Sequence, residues 1–173
     1  MGRAEASKIQ YKYRSQLLTI PTSSVIKVLM ISNNPREMGC LSDHLRRFAW
    51  KKFNVVATFD LKTGWRLAHT HRPDYILVDG SLGTEHIKAW VQALRKRRPF
   101  DQTAIAVLKD DNSTQLVIPG IQDYLLKDNI VSDTFALTVL NAIRLKVQEK
   151  RMTPKSVLSD WWPWNLVKSP VTS

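Results

Sequence analysis

A single cysteine, Cys40, and six glycines serve a chain of 173 residues. One cysteine excludes an intramolecular disulfide, and its position in an amphipathic segment suits a reducing compartment. Nowhere do about eighteen consecutive apolar residues occur, so no segment reads as a spanning helix, and the amino-terminal stretch lacks a hydrophobic signal core. The expected location is therefore cytoplasmic. Gly-x-Gly-x-x-Gly, P-loop and Gly-x-Ser-x-Gly patterns are all missing, which leaves nucleotide-dependent and hydrolase chemistry without support. His44, His69, His71 and His86 stand in no zinc-ligand spacing.

Acids are scarce as well. Fifteen Asp and Glu face 26 Lys and Arg, giving a net charge of +11 and a pI near 10.0. Residues 1–24 carry +3 of this and residues 152–173 only +1, so most of the excess belongs to the body. A surface of that sign attracts polyanions, whether nucleic acid, an anionic membrane or an acidic partner, without choosing among them. With 43% hydrophobic and 24% charged residues, the composition is that of one globular domain with extensions.

What is present is a regular alternation. Val25 to Ile31 is an apolar run closed by Ser32-Asn33-Asn34-Pro35, a buried strand that hands over to a helix capped by Asn34. Met38, Leu41, Leu45 and Phe48 recur at helical spacing, and Arg46, Arg47, Lys51 and Lys52 load the helix end, where cations complement the dipole. Phe53 to Thr58 reads as a second strand, and Leu61, Trp65 and Ala68 mark a short helix ending before Pro73. A third strand, Asp74 to Asp79, delivers a carboxylate. Ile87, Trp90, Val91 and Leu94 then form a buried helical stripe that runs into Arg95-Lys-Arg-Arg98, a basic stretch compatible with a phosphate contact or with a plain helix terminus. Thr103 to Leu108 is strand four, a short fourth helix is expected over Ser113 to Val117, and Tyr124 to Leu126 is strand five, leading to Lys127. Ala136, Leu140, Ile143 and Val147 line one face of the longest helix.

Five such repeats argue a parallel sheet covered on both faces, a flavodoxin-like doubly wound (βα)5 domain of strand order 2-1-3-4-5. The domain spans 25–151. A basic extension, 1–24, precedes it, and a tail, 152–173, follows it. Proline breaks the tail, and Trp161, Trp162 and Trp164 concentrate three of the six tryptophans within four residues. Aromatic surface at that density suits a partner contact, or a lid on the domain itself.

Residues 25–150 resemble the receiver domain of two-component response regulators. The resemblance is carried by Ile26-Lys-Val-Leu-Met-Ile31, Arg72-Pro-Asp-Tyr-Ile-Leu-Val-Asp79, Gly120-Ile-Gln-Asp-Tyr-Leu-Leu-Lys127 and Leu140-Asn-Ala-Ile-Arg144. It implies that Asp79 stands where receivers accept a phosphoryl group from a histidine kinase. It likewise places Lys127 where a conserved lysine pairs with that group. The two acids that bind Mg²⁺ in receivers are replaced by Ser32 and Asn33, the hydroxyl residue after strand four by Lys109, and a loop proline by Gly83. One carboxylate with neutral Ser and Asn oxygens is a poor site for a hard cation, so little or no Mg²⁺ binding is expected.

The resemblance thus implies a stand-alone, non-enzymatic pseudo-receiver. It would act through a protein partner or a second copy, using the face of the fourth helix, fifth strand and fifth helix together with Trp161, Trp162 and Trp164. The alternatives are a working phospho-receiver with Asp79 as acceptor and a basic, nucleic-acid-associated scaffold.

Overall fold

The computed structural model describes residues 25–110, 117–130 and 132–152. Its elements are β1 (Ile26–Ile31), α1 (Pro35–Arg47), β2 (Phe53–Thr58), α2 (Leu61–His71), β3 (Tyr75–Asp79), α3 (Thr84–Arg95), β4 (Ala104–Lys109), β5 (Asp123–Leu126) and α4 (Ser132–Met152), with 3-10 turns at 80–82, 98–100 and 127–129. All five strands are parallel in the order β2-β1-β3-β4-β5. The flavodoxin-like expectation holds. Of the expected helix over 113–117, residues 113–116 lie outside the described residues; Val117 is exposed and non-helical.

Strand alternation divides the core in two. Val28, Met30, Tyr75 and Leu77 point to the layer holding α1 and α4, where Leu41, Leu45, Phe135 and Leu140 are buried. Leu29, Ile31, Ile76 and Val78 point to α2 and α3, against Ala68, Ile87, Val91 and Leu94. β3 is buried along its whole length because it lies mid-sheet with both faces covered. Such packing fixes the chain direction, so every strand ends at one edge of the sheet and every helix returns to the other.

Helix starts follow the sequence closely. The Asn34 side chain accepts from the Glu37 amide at 3.3 Å with Pro35 in the first turn, and the Asp60 side chain accepts from the Thr63 amide at 2.7 Å. Gly64 lets α2 settle on β1, since a Cβ there would lie 2.5 Å from Ile31 Cδ1.

One core group is ill matched. The Tyr75 hydroxyl is fully buried with no hydrogen-bond partner among the described residues, and burial, with some help from Asp123, drives its pKa far up. Tyr75→Phe removes a donor that has lost its water without compensation. The expected result is a protein more stable by about 1 kcal/mol in urea unfolding. A loss of stability would mean that the hydroxyl has a partner after all.

Candidate functional site

The carboxyl edge of the sheet gathers the chemistry. Asp79 ends β3 and is 1% exposed, held beside Leu108 of β4 by strand register. Ser32, directly after β1, donates its hydroxyl to Asp79 Oδ2 at 2.6 Å, while its own oxygen accepts from the Asn34 amide at 3.1 Å. The Ser81 amide donates to Asp79 Oδ1 at 3.0 Å, and the Ser81 hydroxyl reaches Asn33 Oδ1 at 3.2 Å. Lys127, directly after β5, puts Nζ 3.3 Å from Oδ1 and 3.4 Å from Oδ2. Three chain segments that are distant in sequence therefore close on one carboxylate.

Lys127 has two further anions. Its Nζ lies 2.9 Å from Asp110 Oδ1 and 3.2 Å from Glu37 Oε2, the latter at an angle that misses hydrogen-bond geometry and leaves that buried oxygen ion-paired only. Burial alone would favour the neutral amine. The carboxylates of Asp110, Asp79 and Glu37 outweigh it and push the lysine pKa up. For Asp79, burial works against the charge, but Ser32, the Ser81 amide and hydroxyl, and Lys127 together hold the carboxyl below its usual range. Glu37 goes the other way: burial, followed in size by the opposing pull of Lys127, leaves its pKa raised. At neutral pH the centre is an ionised aspartate locked to a charged lysine.

Of the residues singled out in the sequence, Asp79, Ser32, Asn33 and Lys127 do come together. Lys109 closes β4 in register with Leu126 and is partly exposed, and the cation within ion-pair distance of Asp79 is Lys127. Trp161, Trp162 and Trp164 lie outside the described residues. The basic stretch Arg95–Arg98 is not one patch. The Arg95 guanidinium turns inward to the carbonyls of Gly120, Phe100 and Thr103, and Arg97 stacks on Trp65 at 5.5 Å. Lys96, Arg97 and Arg98 remain exposed, so the basic stretch expected there loses only Arg95 to the interior.

Glu37 was not anticipated in the pocket, and Asp110, the residue after Lys109, stands there beside Lys127. A usable signal did exist for Glu37, which stands three residues after the cap Asn34, the spacing from which a Glu side chain folds back over the helix start. Here it folds back to Lys127.

No protein-family model matches this sequence, and no curated protein does so at a significant level. Solved structures do match. The chemotaxis response regulator CheY4 of Vibrio cholerae superposes with a TM-score of 0.59 at 21% identity, over 69% of this chain and 99% of that one. A response regulator from Thermotoga maritima gives 0.59 at 20%, over 69% and 98%. The fold is the receiver fold. A response regulator receiver domain protein from Clostridium thermocellum agrees, with a TM-score of 0.57 at 18% identity over 72% of this chain and 99% of that one. Within the receiver fold, the site described above occupies the carboxyl edge, where doubly wound sheets place their ligands.

Proposed function

We propose that this chain is a receiver-fold regulatory subunit that works through protein contact and without phosphorylation. The observation that carries this reading is the closed state of Asp79. Both of its oxygens are engaged, by Ser32, Ser81 and Lys127. A nucleophilic carboxylate would have to break a 2.6 Å hydrogen bond and an ion pair before it could attack.

The Mg²⁺ that assists phosphoryl transfer in receivers does not fit this donor set. Ser32 and Asn33 offer neutral oxygens already bonded to Asp79 and Ser81, and a lysine ammonium sits among Glu37, Asp79 and Asp110. Lys127 supplies the positive charge itself, which supports a pocket fixed in one state.

The partner surface we assign is the β5–α4 side. There an open groove of about 280 Å³ runs between Tyr124, Leu126, Ile130, Phe135 and Thr138. Trp161, Trp162 and Trp164 follow α4 in sequence and are proposed as the aromatic anchors of the same contact.

A second reading, an acceptor that still takes a phosphoryl group, is favoured by one feature: Glu37 and Asp110 restore carboxylates around the pocket. Incubating the protein with acetyl phosphate and Mg²⁺ and weighing it intact separates the two. The expected outcome is an unchanged mass. A stoichiometric phosphoryl adduct that disappears in Asp79→Asn would establish the second reading in place of the first.

A further inference from the structure

The opposite edge of the sheet gathers most of the exposed basic residues, whereas the carboxyl edge mixes acids with Arg36, Lys62, Lys88, Lys109 and Lys127. Parallel βα units return every helix to the amino edge, so the basic helix ends of the sequence converge there. α1 and the loop after it bring Arg46, Arg47 and Lys52, all exposed, with Lys51 half-buried between them. The Lys52 carbonyl accepts from the Ile26 amide at 2.9 Å, which fixes this loop at the start of β1. Next along the edge stand Lys27 and Arg72, and beyond them Lys96 and Arg98 after α3. The acids on this side are fewer. Asp74 accepts from the Lys27 amide at 2.8 Å, Asp101 and Glu149 lie close enough to Arg95 to pull its pKa up against burial, Asp43 sits one turn before Arg46, and Asp123 opens β5. Glu37, Asp60, Asp79, Asp110 and Asp128 belong to the other edge, at or just after strand ends.

In the middle of the densest cations stands Trp50, 40% exposed, resting on Phe48 with ring centroids 6.1 Å apart. A tryptophan indole set among lysines and arginines is the side-chain mixture that settles at a lipid headgroup layer. Neither element alone suffices for lasting attachment, since lipid contact needs charge and apolar insertion together.

We infer that the amino edge, centred on Trp50 with Arg46, Arg47 and Lys52, is a docking surface for an anionic membrane. This inference is independent of how Asp79 behaves. Three features favour lipid over nucleic acid. Helix carboxyl ends face this surface, so no array of helix amino-terminal N–H groups is offered to grip individual phosphates. No described helix presents a basic side that could enter a groove; the cations cluster at helix ends instead. An exposed indole beside a flat sheet edge has a headgroup layer to enter, while duplex phosphates give it nothing to stack on. No described helix is long and apolar enough to cross a membrane, so the contact is peripheral.

The test is sedimentation of the full chain with vesicles at near-physiological salt. The protein is expected to partition onto phosphatidylcholine vesicles containing about a third phosphatidylserine and to ignore vesicles of phosphatidylcholine alone. Arg47→Ala and Lys52→Ala should each weaken partitioning roughly fivefold, the share of one cation near a charged surface. Trp50→Ala should weaken it several-fold with no change of net charge. Lys62→Ala and Lys88→Ala remove exposed or half-exposed cations from the amino-terminal halves of α2 and α3, toward the other edge, and should change nothing. The inference is overturned if the protein ignores phosphatidylserine, or if Lys62→Ala and Lys88→Ala weaken binding as much as Arg47→Ala. It is equally overturned if generic duplex DNA binds at the same salt and the edge substitutions abolish that binding while sparing the vesicles.

Discussion

Replacing Arg95 with alanine is expected to remove about 3 kcal/mol of unfolding free energy. The sequence places Arg95 at a helix end among other cations, where an alanine would cost little. Its environment says otherwise. Nη1 donates to the Phe100 and Thr103 carbonyls at 2.7 and 2.9 Å, and Nε and Nη2 donate to the Gly120 carbonyl at 3.0 and 2.6 Å. Nη2 also donates to Gln122 Oε1 at 2.8 Å, the same oxygen that accepts from the Ile105 amide. One planar fork thereby satisfies the connections on either side of β4, and Gly120, at φ 93°, is turned so that its carbonyl meets the fork. Arg95→Lys keeps the charge but has one donor centre in place of three, so it should recover well under half of the loss. Urea unfolding of the three proteins measures this, and equal stability of the alanine variant and the parent would refute it. Lys96→Ala, next in sequence and exposed, is the control expected to stay within about 0.5 kcal/mol.

Lys127→Met is the second large effect, expected to cost about 3 kcal/mol at neutral pH because it strands an ionised carboxylate in the core. Asp79 is 1% exposed and Glu37 19%, whereas Asp110 at 70% exposure is screened by water and matters little to the sum. The dependence on pH is the sharper signature. In the parent, Asp79 has a pKa lowered from 3.8, so its contribution is complete above that value and is lost only as pH falls through the lower folded value. Lys127, raised from 10.5, contributes fully below that value and is lost only as pH climbs through the higher folded one. Glu37, raised from 4.5, opposes folding while ionised and stops doing so as pH drops through its raised value. Between these limits the parent should be nearly flat. Without the ammonium, the carboxylates crowd one another, so the variant should gain stability on going from pH 7 to pH 5. Asp79→Asn combined with Lys127→Met should restore much of what Lys127→Met loses, because the most deeply buried of the stranded carboxylates is then neutral and only Glu37 is left without its ammonium. A variant that tracks the parent's pH profile would show that Lys127 is a surface cation with no hold on Asp79.

The strands were legible because each is a short apolar run bounded by turn residues, and β3 most of all, with five buried positions and an acid as the last. Parallel order followed from strand and helix alternation, and the meeting of Asp79 with Lys127 followed from both standing at the carboxyl ends of parallel strands, β3 and β5, with only β4 between them. Glu37 was harder, since an acid in a first helical turn has a sufficient explanation in the helix dipole and only the packing of α1 against β2 and α4 brings it to Lys127. Asp110 needed the end of β4 to be fixed to within a residue, which propensity does not do. Arg95 was hidden by its neighbours. In a row of four near-identical residues, Arg95-Lys-Arg-Arg98, nothing local distinguishes the guanidinium that turns inward from those that face water. The same limit applies to the amino edge: cations spaced along the chain from Lys27 to Arg98 become one surface only when the crossovers fold them together.

The concentration of exposed cations at one sheet edge gives the molecule a dipole as well as a net positive charge. Near a negatively charged sheet such a body feels a torque before it feels contact, and it turns its basic end inward over roughly a Debye length, about 8 Å in physiological salt. Arrival is then already oriented, so salt should slow capture steeply while residence time follows Trp50. Once seated, the protein would hold the Asp79–Lys127 centre outward, toward whatever approaches from the aqueous side.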